Sequence, residues 1–187
     1  MPLLPLEPVV FPDDLLGSLP ADGTAAARWW VLHTRPRAEK SLARRCLRRR
    51  LPFFLPLHQK QWRKGGRLFS SHVPLFPGYF FLYGDGEARM HALETKLVAN
   101  WLPVDDQERL HNDLCRVHHL ITVGAPLTPE DRLMPGARVE ITHGPFAGLE
   151  GVVLRRGKQL RIFVAVQFLQ QGVSVEIETW MLRPLAS

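Results

Sequence analysis

Apolar and polar positions follow three rhythms along this 187-residue chain, and each rhythm predicts a different kind of element. Trp29-Trp30-Val31-Leu32-His33 is short, aromatic and β-branched, the composition of a buried strand. From Pro36 to Arg50 the repeat lengthens: Ala38, Leu42, Ala43, Cys46 and Leu47 share one side of a helical wheel, and Arg37, Lys40, Arg44 and Arg48 the other. Pro36 suits the first turn of such a helix, where its missing N–H costs nothing. Glu39 stands within the apolar stripe. Two readings are open for it: an interaction with the helix N-terminus, or a partner for a cation or polar group at the domain surface.

Residues 51–61 read as a strand that continues through Trp62 to Lys64-Gly65-Gly66-Arg67, where the two glycines supply the positive φ angles of a hairpin turn. In that register Trp62 faces Phe69 and Lys64 faces Arg67, an aromatic pair and a like-charge pair. Tyr79–Tyr83 is the next strand, followed by a helix near 86–96, a strand near 97–103 and a helix at 105–121. The order βαββαβα describes one α+β domain around a mostly antiparallel sheet. Residues 122–134 read as a linker. Beyond it the rhythm is period two: Val139 and Ile141, then Val173, Val175 and Ile177, alternate with polar neighbours, around a more continuously apolar 160–166. Short, evenly spaced strands of this kind predict a small SH3-like β-barrel over 135–187. Residues 1–27, interrupted by Pro2, Pro5, Pro8 and Pro12, read as a disordered leader with a short docking motif around Val9, Val10 and Phe11.

Charge sharpens this picture. Residues 35–67 hold twelve Lys or Arg against one acid, so the window is +11 in a chain of net charge +6, leaving −5 elsewhere. Such a localised excess suits a polyanion, with Arg35, Arg37, Lys40, Arg44, Arg48, Lys64 and Arg67 as nucleic-acid-binding candidates. No apolar run approaches the roughly 20 residues of a membrane span, and the N-terminus lacks the basic head of a secretory signal. Cys46 and Cys115 show no paired spacing, so free thiols in a reducing, cytoplasmic compartment are expected.

Three segments, in order, resemble one family. Trp29 to Lys40 resembles the opening strand and helix of the NusG N-terminal domain. Pro74-Leu75-Phe76-Pro77-Gly78-Tyr79-Phe80-Phe81 is similar to that domain's proline-bounded turn entering a strand, and Arg138 to Val153 looks like a KOW motif. The resemblance implies a NusG-type N-terminal domain over 28–121 and a KOW barrel over 135–187. It implies a non-enzymatic, monomeric transcription elongation or antitermination factor. Its N-terminal domain would grip the clamp helices of the largest subunit of bacterial RNA polymerase through Trp30, His33, Phe76, Pro77 and Tyr79. Its basic side would touch the non-template DNA strand. The barrel would recruit a ribosomal small-subunit protein or Rho through Phe146 and Phe168, with Phe146 either plugging the barrel mouth or projecting as a contact. The long leader and arginine-rich helix fit a specialised, RfaH-like paralogue.

Other chemistry finds less support. His111, Cys115, His118 and His119 share one side of the last predicted helix at metal-ligand spacing, yet no second cluster complements them, and no metal or other cofactor is expected. Gly151 to Lys158 mimics a phosphate-binding loop, but it lies in a barrel strand and Gln159 replaces Ser or Thr. No Ser-His-Asp arrangement, pair of acids or dinucleotide fingerprint points to an enzyme. The competing reading is a ribosome-associated or RNA-binding KOW protein.

Overall fold

In a computed structural model, residues 7–17, 26–132 and 135–186 are described. The elements, in chain order, are β1 (Val10–Phe11), β2 (Arg28–Thr34), α1 (Glu39–Arg48), β3 (Phe53–Phe54), β4 (Leu57–Lys64), β5 (Arg67–Pro74), β6 (Tyr79–Gly84), α2 (Gly86–Glu94), β7 (Val98–Leu102) and α3 (Gln107–Val123). There follow β8 (Thr128–Glu130), β9 (Arg138–Ile141), β10 (Glu150–Arg156), β11 (Gln159–Val166), β12 (Gln171–Glu176) and β13 (Leu182–Pro184), with 3-10 turns at Gln167–Leu169 and Thr179–Met181. They divide into two units, Met1–Leu57 with Phe76–Gln107, and His58–Leu75 with Glu108–Ser187.

The first unit is built on an antiparallel sheet in the order β1-β3-β6-β2-β7. β2 and β6 lie at its middle and are apolar at nearly every position, because both faces of the sheet are buried. Trp30, Leu32, Phe80 and Leu82 enter one core with Leu42, Ala43 and Cys46 of α1 and Ala92 of α2. Trp29, Val31, Phe81 and Tyr83 alternate onto the other face, where Trp29 meets Tyr83 edge-on at 5.2 Å. Burying each such large side chain contributes roughly 1.5–3 kcal/mol. Burial also pushes the Cys46 thiol up to about 12, so it stays protonated and inert.

Local chemistry sets where the helices begin and end. Asp85 caps α2 by accepting from the Ala88 N–H at 2.9 Å. α1 closes with the Leu51 N–H on the Cys46 carbonyl and the Arg50 N–H on the Leu47 carbonyl, the pattern that usually carries glycine. Here Arg50 takes that left-handed position, φ +55°. The start of α1 departs from the expectation. Pro36 and Arg37 are not helical. They form a turn closed by the Ala38 N–H on the Arg35 carbonyl, with Arg37 at φ +61°, and the helix begins at Glu39.

Part of the expected leader is also structured. Val10 and Phe11 pair with Phe54 and Phe53 as an edge strand, and Phe11 stacks on Phe53 at 6.4 Å. Leu15 and Leu16 of the expected leader are buried as well, and its residues 1–6 and 18–25 lie outside the described residues.

The second unit carries a six-stranded antiparallel sheet in the order β13-β9-β10-β11-β12-β8, together with the β4–β5 hairpin and most of α3. Val139 and Ile141, and Val173, Val175 and Ile177, are buried at the alternate positions that the period-two pattern marks, and Ile162, Phe163 and Val164 are buried as a continuous run between them. The linker expected over 122–134 is shorter than its composition implied. Thr128–Glu130 joins β12 as a strand, and a polar network pins it. The Ser174 hydroxyl donates to Glu130 Oε1 at 2.6 Å, and Arg156 pairs with Glu130 Oε2 at 2.6 Å. Arg161 donates to Ser174 Oγ and Thr128 Oγ1 at 2.9 and 2.8 Å, so each buried polar group has a partner. Residues 133–134 of the linker reading lie outside the described residues.

Candidate functional site

The turn entering β6 is held from two sides in the first unit. Gly78 sits at φ +85°, a conformation that L side chains rarely adopt, and an added Cβ would also lie 3.3 Å from His33 Nε2. Its carbonyl accepts from the Thr34 N–H at 2.8 Å, and its own N–H donates to Glu39 Oε1 at 2.8 Å. Glu39 is thereby accounted for. The residue is 6% exposed, and its carboxylate ties the first turn of α1 to the proline-glycine turn. The Tyr79 N–H closes the turn on the Phe76 carbonyl.

This scaffold brings His33, Pro77 and Tyr79 together at the surface. His33 and Pro77 are exposed and Tyr79 is half-buried, with the His33 and Tyr79 rings 5.5 Å apart. Phe76 does not join them. Its ring is 1% exposed and packs edge-on against Phe81 at 6.4 Å, so the expectation of an exposed Phe76 is corrected: it supports the turn from inside. Trp30 is corrected in the same way. It is 8% exposed, points into the helix-side core, and donates its indole N–H to the Gly84 carbonyl at 2.9 Å. The Arg89 guanidinium lies over both Trp30 and Trp101, 4.6 and 4.2 Å from their ring centroids, beside the edge-on contact that the two rings make at 5.4 Å, a cluster that the sequence reading missed.

Basic residues gather beside the turn. The Arg35 N–H donates to the Leu97 carbonyl at 2.8 Å, which sets Arg35 and the Arg37 turn next to Lys96. Lys96 is exposed and left-handed, φ +60°. Sequence reading missed it, because only the backbone reveals that cations occupy Arg37 and Lys96 where glycine would relax the chain. Along α1, Arg44, Arg45 and Arg48 are exposed and Lys40 half-buried. Arg44 is paired to Glu7 at 3.2 Å, so the leader neutralises part of this face. Leu47, expected in the apolar stripe, is 37% exposed. Lys64 and Arg67 lie on the β4–β5 hairpin, in the other unit.

In the second unit, Phe146 takes the inward option. It is 6% exposed and meets His119 of α3 edge-on at 6.4 Å, which corrects its expected role as a projecting contact. His119 also hydrogen-bonds the Pro145 carbonyl at 3.0 Å. Phe168 is half-buried in the turn whose Gln167 N–H donates to Asp113 Oδ2 at 2.9 Å. Asp113 accepts from Arg116 as well; burial raises its carboxyl above the usual range, and the Gln167 N–H and arginines oppose that shift. A cleft of about 410 Å³ opens beside it, lined by Arg109, Arg116, Arg138, Glu150 and Phe163.

His111 Nε2 lies 3.4 Å from Cys115 Sγ, and burial lowers the pKa of both His111 and His118. Among the described residues, no group of three or more His, Cys, Asp or Glu could hold a metal ion. Among the same residues, no helix is long and apolar enough to cross a membrane.

A helix-covered antiparallel sheet with a clamped proline-glycine turn and a cationic first helix, followed by a strand-rich unit, defines a protein of the α+β class. Residues 27–117 match the family model described as transcription termination factor nusG, and the chain carries a domain of the NusG family. One solved structure, described as the crystal structure of the MjSpt4:Spt5 complex in conformation B, is similar at 14% identity over 85% of this chain and 97% of that one. Its TM-score is 0.27, too low to carry an argument. No match was found among curated proteins.

Proposed function

We infer that this chain is an elongation or antitermination factor that docks on the clamp helices of bacterial RNA polymerase. The observation that carries the reading is the Gly78 turn. Glu39 and Thr34 hold it, and His33, Pro77 and Tyr79 stand exposed or half-exposed around it, beside the cations of the α1 entrance. A rigid aromatic rim of this kind suits the side of a partner helix. Arg35, Arg37, Lys40 and Arg48 supply a cationic margin for the non-template strand, with Arg44 available when Glu7 lets go. A factor that binds the closed, elongating polymerase more tightly than paused states shifts the population towards elongation, with no chemical step of its own.

The strand-rich unit then acts as the second hand, recruiting a ribosomal small-subunit protein or Rho through the loop of Phe168. Linkage to the first unit raises the local concentration of that partner at the polymerase. Phe146, buried under His119, supports this loop end without touching the partner.

Co-purification tests the reading. Tagged wild-type chain should bring down RNA polymerase, and a His33→Ala/Tyr79→Ala variant should bind it roughly 5- to 30-fold more weakly, the loss of about 1–2 kcal/mol typical of interface aromatics. Recovery of ribosomal subunits without polymerase would favour the ribosome-associated alternative and overturn this one.

A further inference from the structure

The β4–β5 hairpin is exposed at every residue from Gln59 to Ser70. Its two strands carry Lys60, Arg63, Lys64 and Arg67 and no acid. The two-residue Gly65-Gly66 turn and the Trp62 and Phe69 rings, stacked at 5.9 Å and 17°, define the register. Lys64 is then opposite Arg67, and Lys60 opposite Ser71. Since side chains alternate along a strand, Lys60, Trp62, Lys64, Arg67 and Phe69 share one face. The aromatic pair is bracketed by cations about 7 Å away on each side, two residues at ~3.4 Å.

Two features of this face are unfavourable in water. Trp62 and Phe69 remain 43% and 41% exposed, and Lys64 and Arg67 repel across the strands. One kind of ligand removes both costs, a polyanion that also presents flat aromatic faces. We propose that this hairpin face binds single-stranded nucleic acid, with bases stacking on Trp62 and Phe69 and phosphates meeting Lys60, Lys64 and Arg67. A duplex hides its base faces in the stack, and an acidic protein surface would use the cations but leave the rings without planar partners. The site stands on the hairpin alone and does not depend on the polymerase reading.

The test uses the full chain, a twelve-residue oligothymidylate, an abasic oligomer of equal length and a duplex, titrated at several salt concentrations. Oligothymidylate should bind more tightly than the abasic oligomer or the duplex. Trp62→Ala or Phe69→Ala should weaken it roughly 5- to 100-fold while leaving abasic binding unchanged, and Trp62→Phe should restore most of the loss. Lys64→Gln/Arg67→Gln should weaken both oligomers and flatten the salt dependence by about 0.7 per cation. The same differences should persist in an Arg37→Gln/Arg44→Gln/Arg48→Gln background, which separates this face from the α1 margin. Because the rings are exposed, circular dichroism of the variants should match wild type. Equal affinity for oligothymidylate and the abasic oligomer, tighter duplex binding, or a Trp62→Ala variant that binds normally would each overturn the proposal.

Discussion

Replacing Glu39 tests whether the candidate site is held from within. The residue is 6% exposed, and its carboxylate accepts a 2.8 Å hydrogen bond from the Gly78 N–H. A hydrogen bond to a charged group contributes about 1.5–3 kcal/mol net. Glu39→Ala also removes one methylene, worth about 0.8 kcal/mol. Against these stand the relief of desolvating a carboxylate and the better helix propensity of alanine, up to about 0.5 kcal/mol. The balance is a loss of about 2–3 kcal/mol, whereas Glu39→Gln, which keeps an acceptor of the same shape, should lose about 1. At ordinary urea sensitivity of about 1–3 kcal/mol per molar, the alanine variant should unfold about 1–2 M earlier. Two units can unfold separately, so the first should be followed by the near-ultraviolet dichroism of its Trp30 and Trp101 pair. Polymerase affinity should fall with the alanine variant and survive with glutamine. An alanine variant as stable as wild type, or one that binds polymerase equally well, would refute the view that Glu39 positions the turn.

Further expectations follow from burial and backbone geometry. Phe76→Ala should cost about 3–5 kcal/mol by urea unfolding, as core truncations of aromatics do; a loss under 1 would return Phe76 to the surface. Arg37→Gly should relieve the left-handed residue and gain about 0.5–1 kcal/mol while weakening single-strand binding; lower stability with unchanged binding would contradict both halves. Burial lowers the pKa of His58, His111 and His118 from 6.5. The unfolded chain therefore takes up protons first as pH falls. Their contribution to stability is fully present above about pH 6.5 and is lost as pH falls through the lowered values. Unfolding midpoints of the second unit should drop between pH 7 and 5, and replacing the three histidines by glutamine should flatten that profile.

Much of the architecture was legible as periodicity. β2 and β6 announce themselves by aromatic and β-branched runs, α1 by its cationic face, and the β4–β5 turn by Gly65-Gly66 between Trp62 and Phe69. These features are local: a strand's alternation, a helix's repeat and a glycine's permissive φ act on neighbours in sequence. The family resemblance rests on the same segments, and the NusG-family match covers the stretch from 27 to 117 that carries two of them.

Partnership between distant segments was not legible. Val10–Phe11 sits among prolines, and only pairing with Phe53 and Phe54 makes it a strand. Thr128–Pro129–Glu130 has the composition of a loop, and it becomes a strand because Ser174 and Arg156 satisfy Glu130. The family resemblance marked Phe76, Trp30 and Phe146 as candidate contacts, and in sequence an aromatic looks the same whether it faces a core or a partner. Burial separated them from His33, Pro77 and Tyr79. The sequence by itself determined the elements, the basic window and the order of the motifs, because short-range sterics and side-chain alternation suffice for those. Tertiary structure alone decided which side chains reach the surface at the Gly78 turn. That choice depends on a hydrogen bond from Gly78 to Glu39, 39 residues away along the chain, and no local pattern encodes it.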